Sequence, residues 1–154
     1  MRTLSIVALQ TSPVFRDPAA TLRRMAERVA RVRELAPSVQ LVMFPELHLP
    51  ALPPALETHD GRADLAVDVP GPLTDELGTI ARTHGVWLVP GSVYERGEDD
   101  RVHNTCVVLS PDGELVASYR KVFPWQPHEA SIASAVLALP TRAAVGSLVG
   151  GING

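Results

Sequence analysis

Two compact apolar runs bracket an amphipathic segment within the first 44 residues, and this arrangement limits the possible folds more than any other feature of the chain. Leu4-Ser5-Ile6-Val7-Ala8-Leu9 reads as a strand buried on both faces, since it lacks the polar alternation of a half-exposed strand. Asp17 then offers an N-cap with Pro18 at the first helical position. Leu22, Met25, Ala26, Val29, Val32 and Leu35 recur at three- and four-residue spacing among arginines, which predicts a helix lying on a sheet. Pro37 stops it, and Val39 to Phe44 forms a second strand, so a parallel strand-helix-strand unit is the expected core.

The alternation continues. Leu49 to Pro54 carries three prolines and is expected to be irregular, and Pro70-Gly71-Pro72 marks a turn before Thr74, read as the N-cap of a second helix that ends at Gly85. Val86 to Val89 begins a third strand extending past Gly91 toward Tyr94. After a charged loop, Asn104 to Leu109 and Leu115 to Tyr119 flank Ser110-Pro111-Asp112-Gly113-Glu114, the signature of an antiparallel hairpin. Strands alternating with helices and then a hairpin predict an α/β layer with a mixed sheet. Residues 1–129 read as one domain. Residues 130–154 read as an apolar Ala/Gly-rich tail with Arg142 as its single charge, in which Val136 to Leu139 and Val145 to Val149 suit short strands.

Several function classes are disfavoured. A net charge of −3 gives no basic stripe for nucleic acid, and no apolar run approaches the roughly 18 residues of a membrane helix. The first strand-to-helix turn, Gln10-Thr11-Ser12-Pro13-Val14-Phe15, lacks the glycines a dinucleotide pyrophosphate requires. His48, His59, His84, His103 and His128 show neither helical pairing nor cysteine pairing, so no zinc site is expected from them. One cysteine, Cys106, and a start without signal-peptide shape point to the cytoplasm.

Two charged residues stand apart from ordinary surface charge. Glu46 follows Phe44-Pro45 at the end of an apolar strand, where partial desolvation would raise its pKa toward that of a general base. Lys121 precedes Val122-Phe123-Pro124-Trp125, an apolar and aromatic stretch that would direct the ammonium into a site where it stabilises an oxyanion. Cys106 lies in the run Thr105 to Leu109 and reads as an inert packing residue.

The ordered set of Phe44-Pro45-Glu46, Pro90-Gly91-Ser92, the hairpin from His103 to Leu115 and Tyr119-Arg120-Lys121 resembles the carbon-nitrogen hydrolase, or nitrilase, superfamily over residues 4 to about 129. The resemblance implies an αββα sandwich, usually dimerised. It also implies a Cys-Glu-Lys triad acting on small amides, nitriles or N-carbamoyl compounds, with Glu46 as base, Lys121 as oxyanion partner and Glu129 as a second, substrate-orienting glutamate. In such a site the thiolate attacks the carbon, ammonia or an amine leaves, and water clears the thioester, so the resemblance implies no metal and no organic cofactor.

The pattern departs from the family at the nucleophile. Members place it on a strand roughly 30–40 residues beyond the Lys, and here Val145 to Val149 leads only to Gly150. The chain is therefore expected to be a truncated, inactive portion of the sandwich or, alternatively, a non-catalytic partner of a full-length relative. With strands for about half the sandwich, an uncovered apolar sheet face is expected to drive self-association or pairing.

Overall fold

The computed structural model describes residues 3–50, 52, 58–98, 100–125, 129 and 131–133. The strands expected at 136–139 and 145–149 lie outside these residues, as do His128 and most of the tail. Nine elements follow in order: β1 (Ile6–Ala8), α1 (Pro18–Leu35), β2 (Leu41–Met43), α2 (His59–Asp64), α3 (Pro72–His84), β3 (Trp87–Val89), β4 (Ser92–Arg96), β5 (Val102–Leu109) and β6 (Leu115–Arg120).

Helix α1 starts where the sequence places it: Asp17 Oδ1 accepts the Ala20 N–H at 2.8 Å, and Pro18 opens the first turn. Helix α3 begins earlier than expected. Gly71 is its cap, and Thr74 sits inside the first turn, where its hydroxyl accepts the Gly71 N–H at 2.9 Å and donates to the Gly71 carbonyl at 2.7 Å. Gly85 ends it with φ +60°. The short α2, capped by the Thr58 hydroxyl, carries no apolar periodicity and was not expected.

The strands form one mixed six-stranded sheet. β1, β2 and β3 are parallel, with Val7, Val42 and Leu88 in register. The third strand is broken at Pro90-Gly91, and its halves β3 and β4 lie end to end along one edge of β5. Thr105 pairs with Val93 on that edge and with Arg120 on the other, where β6 completes the hairpin. Because β5 is antiparallel to both β3 and β6, the strands β2, β3 and β6 all end at the same edge of the sheet.

Alternation divides the side chains between two faces. Val7, Val42, Leu88, Val93, Val107 and Leu109 face α1 and α3 and form the main core with Leu22, Met25, Val29, Leu77 and Ile80. On the other face, among the described residues, α2 and Ile132 cover only the end near Tyr94 and Val102. β1 is consequently an edge strand covered on one face, not two: Ile6 is 49% exposed. Met43 and Tyr119 are also exposed there. Among the described residues, no helix is long and apolar enough to cross a membrane.

Candidate active site

Glu46 lies on the turn that leaves β2, and the Pro90-Gly91-Ser92 break fixes that turn. Gly91 adopts φ +93°, and a β-carbon there would come within 1.9 Å of the Pro45 carbonyl oxygen, so only glycine lets the two backbones touch. Beside it, Ser92 Oγ accepts the Leu47 N–H at 2.9 Å, and Leu47 itself sits at φ +50°. The crossing of these two segments holds Glu46 at the carboxyl edge of the sheet.

Lys121 reaches the same edge from β6. Alternation sends Arg120 to the helix-facing side, where it makes a two-pronged ion pair with Glu95 at 2.6 and 2.8 Å; Thr105 donates to the same carboxylate at 2.6 Å. The next residue therefore projects to the opposite face. There Lys121 Nζ donates to Glu46 Oε1 at 3.0 Å and to Glu129 Oε2 at 2.7 Å. The structure thus brings together all three site residues singled out in the sequence.

Asn104, the third residue of β5, joins them. Its Nδ2 donates to Glu46 Oε1 at 2.8 Å and to Glu129 Oε1 at 3.1 Å, while its carbonyl accepts the Lys121 N–H at 2.8 Å. Sequence reasoning gave it no role. Its signal was an amide between His103 and Thr105 in a strand that leads into the apolar run Val107 to Leu109, since an amide buried in a strand needs partners. A second overlooked signal is that Lys121 is the chain's only lysine among 14 Lys and Arg residues. A compact ammonium with three rotatable donors fits between two carboxylates as a planar guanidinium does not.

The electrostatics follow from these contacts. Burial alone would raise the Glu129 carboxyl, but the hydrogen bonds from Lys121, the Trp125 N–H at 2.6 Å and Asn104 outweigh it and hold the group below the usual range. Burial works against the Lys121 ammonium as well, and the two carboxylates overcome it and raise its pKa. Glu46 departs from expectation: its side chain is 58% exposed, so the described residues do not provide the desolvation inferred from its apolar flanks. Phe123 and Trp125 are likewise mostly exposed.

Glu46, Asn104 and Lys121, though not Glu129, border a cleft of about 500 Å³ on the sheet face that the described helices leave open, lined also by Met43, Val89, Ser92, Tyr119 and Phe123. Cys106 also lines it instead of packing inside the core. Its thiol is pushed up in pKa by burial and then by the Glu46 charge, and its recorded polar contact is a long 3.9 Å approach to the Val107 carbonyl. An activated nucleophile requires the opposite, a lowered pKa and a base within hydrogen-bond reach. Among the described residues no group of three His, Cys, Asp or Glu side chains could hold a metal ion.

Comparison with known proteins gives this site a family. A nitrilase from Paraburkholderia phymatum is 35% identical over 133 residues, covering 80% of this chain and 38% of its own length. Nitrilase 3 of an unknown prokaryotic organism is 32% identical over 135 residues, covering 80% and 40%. The solved structure of Saccharomyces cerevisiae Nit3, a member of branch 10 of the nitrilase superfamily, superposes with a TM-score of 0.74 at 23% identity, over 87% of this chain and 49% of that one. The chain thus spans about two fifths of the length of the curated relatives it matches. The family model for carbon-nitrogen hydrolases matches residues 5–143, and the chain belongs to the carbon-nitrogen hydrolase family.

Proposed function

We propose that these 154 residues carry the base-and-cation half of a Cys-Glu-Lys hydrolase site for small amides, nitriles or N-carbamoyl compounds, and are inactive without a nucleophile supplied by further sequence. The observation that carries this reading is the position of Lys121 Nζ between Glu46 Oε1 and Glu129 Oε2 at the mouth of an apolar cleft. Glu46 takes the proton of the attacking thiol, Lys121 stabilises the oxyanion as the thiolate adds to carbon, and Glu129 orients the substrate. With an amide or N-carbamoyl substrate Glu46 then returns the proton to the leaving ammonia or amine and water hydrolyses the thioester; a nitrile takes the proton on its nitrogen as a thioimidate and releases ammonia only after water adds.

Turnover of butyramide and butyronitrile tests the reading. The 154-residue chain should show none, and a chimera extended by the remaining part of the Paraburkholderia phymatum nitrilase should show turnover that Glu46→Gln or Lys121→Met lowers about 100-fold or more. Turnover by the short chain that Cys106→Ser abolishes would contradict it, as would a chimera indifferent to Glu46 and Lys121.

The uncovered face with Ile6, Met43 and Tyr119 supports a second reading, a non-catalytic partner that pairs with a full-length relative. Raised activity of the relative in a mixture, with no activity of this chain alone, would favour it.

A further inference from the structure

Glu46 is exposed and flexible by type, yet a base must present one oxygen in one direction. A free glutamate samples many rotamers, and fixing it costs conformational entropy. Here two donors meet at a single oxygen: Asn104 Nδ2 and Lys121 Nζ both donate to Oε1, and Oε2 has no partner among the described residues. The two donors differ in what they can specify. Lys121 is a rotatable point charge that serves either oxygen equally well. Asn104 is 2% exposed, belongs to a strand paired on both sides, and cannot present its other end, because its amide oxygen would then face two carboxylates.

We propose that Asn104 is a positioning residue for Glu46, holding it by Oε1 so that Oε2 alone faces the cleft for proton transfer. Glu129 has both oxygens engaged by contrast: its Oε1 accepts from Asn104, and its Oε2 accepts from Lys121 and the Trp125 N–H. The amide therefore divides the labour of two neighbouring carboxylates. One is left with a free oxygen, and the other is tied down as part of the scaffold. Asn104 also couples the pair to Lys121 through its carbonyl, which accepts the Lys121 N–H and continues the β5–β6 ladder into the site.

The role given to Asn104 rests on the assignment of Glu46 as the base, but it is read without turnover. The experiment is side-chain carboxyl NMR on the 154-residue chain, comparing wild type with Asn104→Leu and the isosteric Asn104→Asp, with amide exchange along β5 and β6 as the control for folding. In Asn104→Leu, the Glu46 three-bond couplings should change from a single rotamer to averaged values. In Asn104→Asp, a third carboxylate replaces the donor, and the Glu129 titration midpoint should rise by about one pH unit or more. Folded variants with unchanged Glu46 couplings and an unchanged Glu129 midpoint would overturn the proposal. If Asn104→Leu fails to fold, the Glu46 couplings in Asn104→Asp decide alone, averaged if Asn104 holds Glu46 and unchanged if it does not. Loss of activity in an extended protein bears on Glu46 as base; these spectra bear on Asn104 as its holder.

Discussion

Lys121 Nζ lies 3.0 Å from Glu46 Oε1 although 75 positions separate the two residues in the chain. The topology explains the convergence. β2 and β6 run in the same direction with the antiparallel β5 beside β6, so a group just beyond the end of each strand arrives at one edge of the sheet. The side-chain parity of Arg120 and Lys121 then decides which face the ammonium enters.

Removing the ammonium should destabilise the fold through Glu129, whose side chain is 10% exposed. Lys121→Met leaves that carboxylate with the Asn104 and Trp125 donors only, a loss of about 1–3 kcal/mol. Urea unfolding at neutral pH measures it, and the Glu129 midpoint should rise in the same variant because the lost donor favoured the charged form.

The opposite face holds a second dependence. Glu95 is buried with Arg120 and Thr105 as its donors, and Arg120 is 45% exposed, so solvent moderates the pair. Arg120→Met should cost about 2–3 kcal/mol by leaving a buried carboxylate short of donors. The Glu95→Leu, Arg120→Leu double variant should cost less than Arg120→Met alone, which denaturant midpoints will show.

Gly91→Ala should be among the most damaging small substitutions. The new β-carbon meets the Pro45 carbonyl oxygen at 1.9 Å from a backbone at φ +93°. A loss of about 2 kcal/mol or more is expected, with displacement of the Glu46 turn visible as loss of the Glu46–Lys121 contact.

Acid should weaken the protein in two stages. His48 and His103 are lowered from 6.5, chiefly by burial and next by Arg28 and Arg120 respectively, so the unfolded chain binds protons first. Their contribution is complete above about pH 6.5 and is lost as pH falls through their folded values. Glu95 and Glu129 follow: burial opposes their ionisation but their hydrogen-bond donors prevail, and stability present above about pH 4.5 is lost as pH falls through their lowered values. The urea midpoint should already decline between pH 7 and pH 5; a flat profile there contradicts the buried-histidine stage.

Much of the frame was legible because it depends on local pattern. The periodicity from Leu22 to Leu35, the Asp17 cap, the Gly85 stop and the Asp112-Gly113 tip each name their own structure. What escaped depends on neighbours across the sheet. The exposure of Ile6 follows from β1 being an edge strand with one covered face, and the exposure of Glu46 follows from a turn that projects past the sheet. Asn104 could be noticed within the polar run His103 to Thr105 of a strand, but its partners lie 58 and 25 positions away and only the fold reveals them. The helix α2, held by a Thr58 cap and contacts with β4 and β5, has no periodic signature to read.

Because Lys121 is the only lysine, its ammonium gives a single side-chain NMR signal, and that signal tests the shared site most directly. An ammonium held between Glu46 and Glu129 should be protected from exchange near neutral pH and should lose that protection in both Glu46→Gln and Glu129→Gln. A Lys121 ammonium in free exchange with water, or one indifferent to both substitutions, would contradict the convergence on which the account rests.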